Sequence, residues 1–186
     1  MPHIKLGNDE HGIRSLFIYR PETAHPMCLL AETLLRGPST LSRGERELIA
    51  TYVSSLNDCG YCTASHAAAT SAQLPEGMPL VDLVCAGPES APVTPKLAAL
   101  LRIAGAVQQG GKAVRTEDVE RAKKAGATDL EIHDTVLIAA AFCMYNRYVD
   151  GLATTVRADP AAYATVAQTL VRDGYLGITR QPAETN

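Results

Sequence analysis

The residues best suited to chemistry in this chain are two thiols, an imidazole and a carboxylate. Cys59 and Cys62 are separated by Gly60 and Tyr61, His66 lies four positions further on, and eleven residues separate Glu47 from Cys59. On one α-helix at about 100° per residue, positions 59, 62 and 66 fall within an arc of about 60°, so both sulfurs and the ring share a face and can exchange protons. A helix opening at an Asp58 cap puts Cys59 in the first turn, where unpaired N–H groups and the positive end of the helix dipole favour a thiolate. Such settings lower a thiol below its ordinary pKa of about 8.5. His66, one turn beyond Cys62, is positioned to take the Cys62 proton, which leaves Cys59 as the thiol that closes a disulfide. On an unbroken helix Glu47 would sit about 120° around from Cys59. Asn57 and Asp58 favour a break, and a chain that bends there can return the carboxylate over the thiols, to hold His66 or pass protons through a water.

Other uses of these residues fit less well. A zinc site built on Cys59, Cys62 and His66 lacks a fourth ligand nearby, and three ligands from one helix close a tetrahedron poorly. No metal or cofactor is therefore expected. A thioredoxin-like motif needs a βαβ setting, and haem attachment needs a histidine directly after the second cysteine, where Thr63 stands. The five cysteines are odd in number and scattered apart from the one pair, so a structural disulfide framework is not expected. Cys28, Cys85 and Cys143 lie in apolar runs and read as buried small hydrophobes. His133 is expected on a surface turn, and His3, His11 and His25 in irregular segments. Asn146, Arg147 and Asp150 interrupt the most apolar helix; a structural ion pair is the simpler reading, a polar wall to the pocket or an interface the functional one.

The elements that must position the site are legible from caps and periodicity. Residues 1–20 show no clear period and read as an N-terminal arm. Pro21 and Pro26 bracket a loop before the apolar run Cys28 to Leu35, a short helix ending at Gly37-Pro38. Ser42 with Glu45 is a capping box, followed by Leu48, Ile49, Tyr52, Val53 and Leu56 at helical spacing, which predicts a helix to about Asn57. An Ala-rich helix follows from Cys59 to about Ser71, then a loop at 74–77 and a brief helix from Leu80 to Cys85. Thr94 and Pro95 open a helix through Gln109, stopped by Gly110-Gly111. Thr116 opens another through Lys124. Thr128 with Glu131 forms a second capping box before Ile132, Val136, Ala139, Ala140 and Cys143. Asp159-Pro160 starts a last helix ending before Gly174, and residues 179–186 read as a loose polar tail. Ser42 to Ala67 laid against Thr128 to Ala153 matches capping box to capping box, with Tyr145 and Tyr148 where the first copy has Cys59 and Cys62. That echo suggests an internally duplicated helix pair with one active copy.

Composition supports one helical domain spanning residues 1–186. Hydrophobic residues make up 46% of the 186-residue chain and aromatic residues only 5%, with no Trp, so Ala, Leu and Val carry the core, as packed helices allow. The net charge is −3 and no block of Lys or Arg is long enough to track phosphates, which excludes nucleic acid as an expected partner. No segment approaches eighteen uninterrupted apolar residues and the N-terminus lacks the apolar stretch of a signal peptide, so a soluble cytoplasmic protein with no membrane partner is expected.

The spacing Glu47, eleven residues, Cys59-x-x-Cys62, three residues, His66 resembles the signature of the alkylhydroperoxidase D-like, carboxymuconolactone decarboxylase-type superfamily. The wider stretch LLRGPSTLSRGERELIATYVSSLNDCGYCTASH and the later NRYVDGL resemble its peroxidase-related branch, so the likeness runs over about residues 15–175. The resemblance implies an all-α helical bundle that assembles as a homo-oligomer (dimer, trimer or hexamer) and acts as an antioxidant thiol peroxidase. In that reading Cys62 attacks a hydroperoxide to give a sulfenic acid, Cys59 condenses with it to a disulfide, and Glu47 and His66 relay protons. An external dithiol, a lipoyl or thioredoxin-type protein, then restores the thiols. One departure is Tyr61, which stands where the founding peroxidase has a second histidine. The same fold admits two other functions: a decarboxylase or related ring-lactone enzyme, which does not need the cysteine pair, and a non-catalytic redox-sensing oligomer.

Overall fold

Side-chain caps and prolines set where most helices begin. The computed structural model describes residues 1–179, which form nine α-helices and two short 3₁₀ segments and contain no strand. The order is α1 (Gly12–Tyr19), α2 (Pro21–Arg36), α3 (Arg43–Leu56), α4 (Gly60–Ser71), α5 (Gly77–Ala86), α6 (Pro95–Gln109), a 3₁₀ turn Gly111–Ala113, α7 (Thr116–Lys124), α8 (Asp129–Gly151), α9 (Pro160–Asp173) and a 3₁₀ segment Tyr175–Thr179. The Ser42/Glu45 and Thr128/Glu131 capping boxes are both formed, Thr94 accepts from the Leu97 N–H, and Asp159 accepts from the Ala161 N–H. No helix among the described residues is long and apolar enough to cross a membrane.

The N-terminal third departs from expectation. The arm contains α1, and the segment read as a loop between Pro21 and Pro26 is the start of α2, with Pro21 at its first turn and Pro26 inside it. The buried face of α2 (Ala24, Cys28, Ala31, Leu35) keeps helical spacing straight across Pro26, so packing outweighs the one backbone bond the proline removes. His25 therefore lies in a helix, and His133 lies in the exposed part of α8 rather than on a turn. α5 begins three residues earlier than the expected Leu80, at Gly77. From residue 180 the expected tail lies outside the described residues.

The centre of the fold is α3. Of its fourteen residues, ten are buried, including Arg46, Glu47, Thr51 and Ser54, so the helix is enclosed on every side by α4, α6 and α8 with α2 and α5 beside them. Its buried polar groups are paired: Arg46 donates to the carbonyls of Leu34 and Gly37 at 3.0 Å each, closing the end of α2, and Thr51 and Thr70 join α3 to α4 at 3.1 Å. After α3, Asp58 takes a left-handed φ of 56° and turns the chain so that α4 runs back along α3. The internal echo does not extend to this break: α8 runs unbroken for 23 residues through Tyr145 and Tyr148.

A second buried carboxylate, Glu131, ties α8 to α6 and to the α2–α3 connection. It accepts from Lys96 at 2.7 Å, Thr40 at 2.9 Å and the Thr128 N–H at 2.8 Å. Burial pushes its pKa up, but Lys96, the Thr128 N–H and Thr40 together outweigh it and hold the carboxyl down at about 2. A depressed folded-state pKa stabilises the fold above the ordinary carboxyl range, and that stability is lost as pH falls from about 5 toward 2, amounting to roughly 3 kcal/mol. Glu131→Gln is expected to lower urea stability at pH 7 by a few kcal/mol, on the order of a broken buried pair. It should also flatten the pH dependence between about 5 and 2. A variant whose stability falls with acid as steeply as the parent would contradict this account of Glu131.

Candidate active site

The turn at Asp58 decides which sulfur sits on the helix end. Cys59 is the N-cap of α4, with extended backbone (φ −85°, ψ 93°), and not a first-turn residue as a cap at Asp58 would make it; Cys62 occupies the first turn. The N–H groups at the helix end reach back to the cap, where the Cys62 N–H lowers the Cys59 thiol, so the helix end does not by itself make Cys62 the anion. The side chains decide between the sulfurs. A hydrogen bond from the Cys59 thiol is the largest influence lowering the Cys62 pKa, and it outweighs burial with help from the charge of His66 and the amide of Asn146. Cys59 is pushed strongly up by that same hydrogen bond, by burial and by the negative charge of its partner. Of the two sulfurs, Cys62 is thus the one that favours the thiolate, and Cys59 the one that keeps its proton and donates.

His66, on α4, and Glu47, on α3, meet because the two helices are antiparallel neighbours: His66 Nδ1 lies 2.8 Å from Glu47 Oε2. The other carboxylate oxygen accepts from the Tyr175 hydroxyl at 2.6 Å. Burial first, then the Glu47 charge, pushes the Tyr175 pKa well above its ordinary value, so the phenol keeps its proton and donates. Since a carboxylate only accepts, Nδ1 carries the proton shared with Glu47, which leaves Nε2 as the nitrogen that can take up and return a proton. Phe142 packs edge-on against the imidazole at 4.6 Å between centroids, fixing its plane.

Tyr175 carries no motif spacing and was not legible as a site residue. It reaches Glu47 from the C-terminal 3₁₀ segment because Glu32 on α2 accepts its N–H at 2.7 Å, while Arg36 binds Glu32 and donates to the carbonyls of Leu170 and Val171 at the end of α9. Gly174, at φ +76°, makes the turn between them, and a Cβ there would press on the Glu32 carboxylate.

A cavity of about 240 Å³ opens onto the site. Cys62, His66, Tyr61 and Tyr175 line it, and Phe17, Met27 and Phe142 supply apolar wall. Cys59 does not line it: its exposure is 0% against 4% for Cys62, so it stands behind the sulfur that faces the cavity. Tyr61 packs against Gly12, where any Cβ would overlap the phenol ring. Cys28 also lines the cavity, as a buried thiol raised to about 11 by desolvation and the nearby Glu32 charge. Cys85 and Cys143 are half-buried, not enclosed as expected.

No ion pair joins Arg147 to Asp150 among the described residues. Arg147 turns outward and donates to the Cys143 carbonyl. Asn146 is buried, accepts from Asn57 at 2.8 Å and donates to Ser54 at 3.1 Å, and its amide reaches Cys62 while the Asp150 carboxylate reaches Cys59. The polar interruption of α8 is thus a wall to the thiol pair. Among the described residues, no group of three or more His, Cys, Asp or Glu side chains is arranged to hold a metal ion.

Residues 21–74, which carry Glu47, Cys59, Cys62 and His66, match the model of the carboxymuconolactone decarboxylase family. Among solved structures, the chain is similar to an uncharacterized peroxidase-related protein from Silicibacter sp. TM1040, at 27% identity over 82% of this chain and 78% of that one, with a TM-score of 0.73. It also shares its fold with an uncharacterized peroxidase-related protein from Ralstonia eutropha JMP134, described as an alkylhydroperoxidase AhpD core. That match has 24% identity over 90% of this chain and 80% of that one, and a TM-score of 0.69. No curated protein matches the chain. The family match and the fold support the alkylhydroperoxidase D-like, carboxymuconolactone decarboxylase superfamily, on its peroxidase-related branch.

The thiol assignment can be checked without any substrate. The pH dependence of alkylation by iodoacetamide at Cys62 should have its midpoint below the ordinary thiol value of about 8.5. Cys59→Ala should move that midpoint up by removing the largest stabilising hydrogen bond, and His66→Gln should move it up less. A midpoint unmoved by Cys59→Ala would contradict the assignment of thiolate to Cys62.

Proposed function

We propose that this chain, as a peroxidase-related member of that superfamily, is a thiol peroxidase that reduces hydroperoxides through the Cys59–Cys62 pair with His66 and Glu47 as proton relay. The observation that carries the reading is the order of groups behind the cavity wall: a thiolate-favouring sulfur in front, its base beside it, and a protonated second thiol directly behind. The Cys62 thiolate attacks the terminal oxygen of the hydroperoxide, the O–O bond breaks, and the leaving alkoxide takes a proton from the His66 imidazolium, giving alcohol and Cys62 sulfenic acid. The Cys59 sulfur then attacks the Cys62 sulfur. Its S–O bond breaks, hydroxide leaves with the Cys59 proton as water, and the disulfide forms. Glu47 steadies the imidazolium each time it appears, and Tyr175 holds the second carboxylate oxygen so that the first stays on His66. The cycle closes by thiol–disulfide exchange with an external dithiol, for which a lipoyl or thioredoxin-type protein is the expected class, in a cytoplasmic homo-oligomer.

Asn146 and Asp150 support this reading over a ring-lactone or decarboxylating enzyme, since their polar contacts reach Cys62 and Cys59, which such chemistry does not need. A redox sensor would oxidise once per subunit and stop. The test is consumption of cumene hydroperoxide and hydrogen peroxide with dihydrolipoamide as donor. Wild-type protein is expected to turn over, and Cys62→Ser to lose activity by on the order of a thousandfold, as removal of a nucleophile does. Peroxide consumption no faster than that of a free thiol would reject the peroxidase reading.

A further inference from the structure

The cavity in front of Cys62 has two chemically different regions. Most of its wall is apolar, but at one end Arg14, Tyr61 and Ser65 gather. Arg14 Nε is 3.3 Å from Glu10 Oε2, and the same oxygen also accepts from Arg157 Nη2 at 3.0 Å. One carboxylate thus serves two guanidinium groups, so among the described residues the Glu10, Arg14 and Arg157 cluster carries one positive charge in excess. Both cations act on the Tyr61 hydroxyl: burial pushes that phenol up to about 12, with a smaller push from the Cys62 charge, while Arg14, a hydrogen bond with Ser65 and Arg157 pull it down. Asp173, the acidic residue on the cavity wall, is itself bound by Arg172 at 2.8 Å through both oxygens, so it does not cancel the excess.

We infer that this cavity selects amphipathic molecules with an apolar body and an anionic end, the anion seated at Arg14 with the Tyr61 and Ser65 hydroxyls beside it. Resting on the peroxidase reading, the preferred substrate is a carboxylate-bearing organic hydroperoxide of medium size. Its apolar part lies along Phe17 and Met27, and its peroxide group meets Cys62. The cavity of about 240 Å³ matches about eight waters at ~30 Å³ each, a volume that suits a short alkyl or aryl body and excludes a macromolecule. A neutral hydroperoxide gains the same apolar contact but leaves the excess charge unanswered, whereas a carboxylate gains a charge-assisted hydrogen bond in a partly desolvated setting. Hydrogen peroxide uses neither region.

The test separates binding from turnover. Protection of Cys62 from iodoacetamide is measured with sodium octanoate and with 1-octanol as unreactive probes. Octanoate is expected to protect at about tenfold lower concentration than 1-octanol, the scale of one charge-assisted bond. Arg14→Gln should bring the two probes to near parity, and Arg14→Lys should retain part of the preference. Protection by 1-octanol in each variant reports that the cavity is still formed. Equal protection by both probes in the parent protein, or a preference that survives Arg14→Gln, overturns the inference. In the second arm, cumene hydroperoxide is compared with its para-carboxylate, and kcat/KM should favour the carboxylate in the parent and lose that bias in Arg14→Gln. If octanoate protects selectively and neither hydroperoxide turns over, the anion-selecting cavity stands and the peroxidase reading alone falls.

Discussion

The rest of the site depends on the Glu47 carboxylate, buried in α3 and held between the His66 imidazole and the Tyr175 hydroxyl. A charge in that position is costly unless both oxygens are answered, and the two answers come from distant parts of the chain, one from α4 and one from the C-terminal 3₁₀ segment. The carboxylate therefore acts as a tie. It fixes the histidine in one orientation, and it requires the C-terminal segment to dock before the site is complete. Glu32 and Arg36 enforce the same docking from α2, so a polar chain runs from the end of α9 through α2 and Tyr175 to Glu47 and His66.

A single backbone feature makes this arrangement reachable. Had α3 continued straight through residues 57–59, Glu47 and the cysteines would lie on different faces of one rod. The left-handed conformation at Asp58 folds the rod back on itself, makes Cys59 a cap and puts Cys62 in the first turn. One turn thus settles the contact between base and carboxylate, and the side chains around the sulfurs separate the two thiols. The enclosing helices supply the low-dielectric surroundings in which that difference is felt, with Asn146 and Asp150 of α8 as its polar boundary.

What could be read beforehand and what could not follow from the range of the interactions. Capping boxes at Ser42 and Thr128, the Thr94-Pro95 and Asp159-Pro160 starts and the Gly110 stop are local, and each fixes an element by contacts three or four residues apart. Pro21 and Pro26 misled because a proline marks a backbone preference, while the buried face of α2 that overrides it is a tertiary fact. The four residues with motif spacing meet or adjoin one another, since the break between Asn57 and Asp58 was itself written in cap-forming residues. The helix starts one residue later than the cap-forming Asp58 suggests, which makes Cys59 its cap rather than a first-turn residue. Tyr175, Arg14 and the buried pairing of Asn146 carry no periodicity toward the cysteines, and only folding brings them there.

The central claim is that Cys59 and Cys62 form one redox couple, set apart from the other three thiols by Glu47, His66 and the turn at Asp58. Peptide mapping by mass spectrometry after one equivalent of hydroperoxide per subunit addresses it most directly. The account requires a Cys59–Cys62 disulfide, with loss of two hydrogens, while Cys28, Cys85 and Cys143 remain alkylatable. Oxidation spread over all five cysteines, or a stable disulfide that pairs Cys62 with any residue other than Cys59, would contradict it.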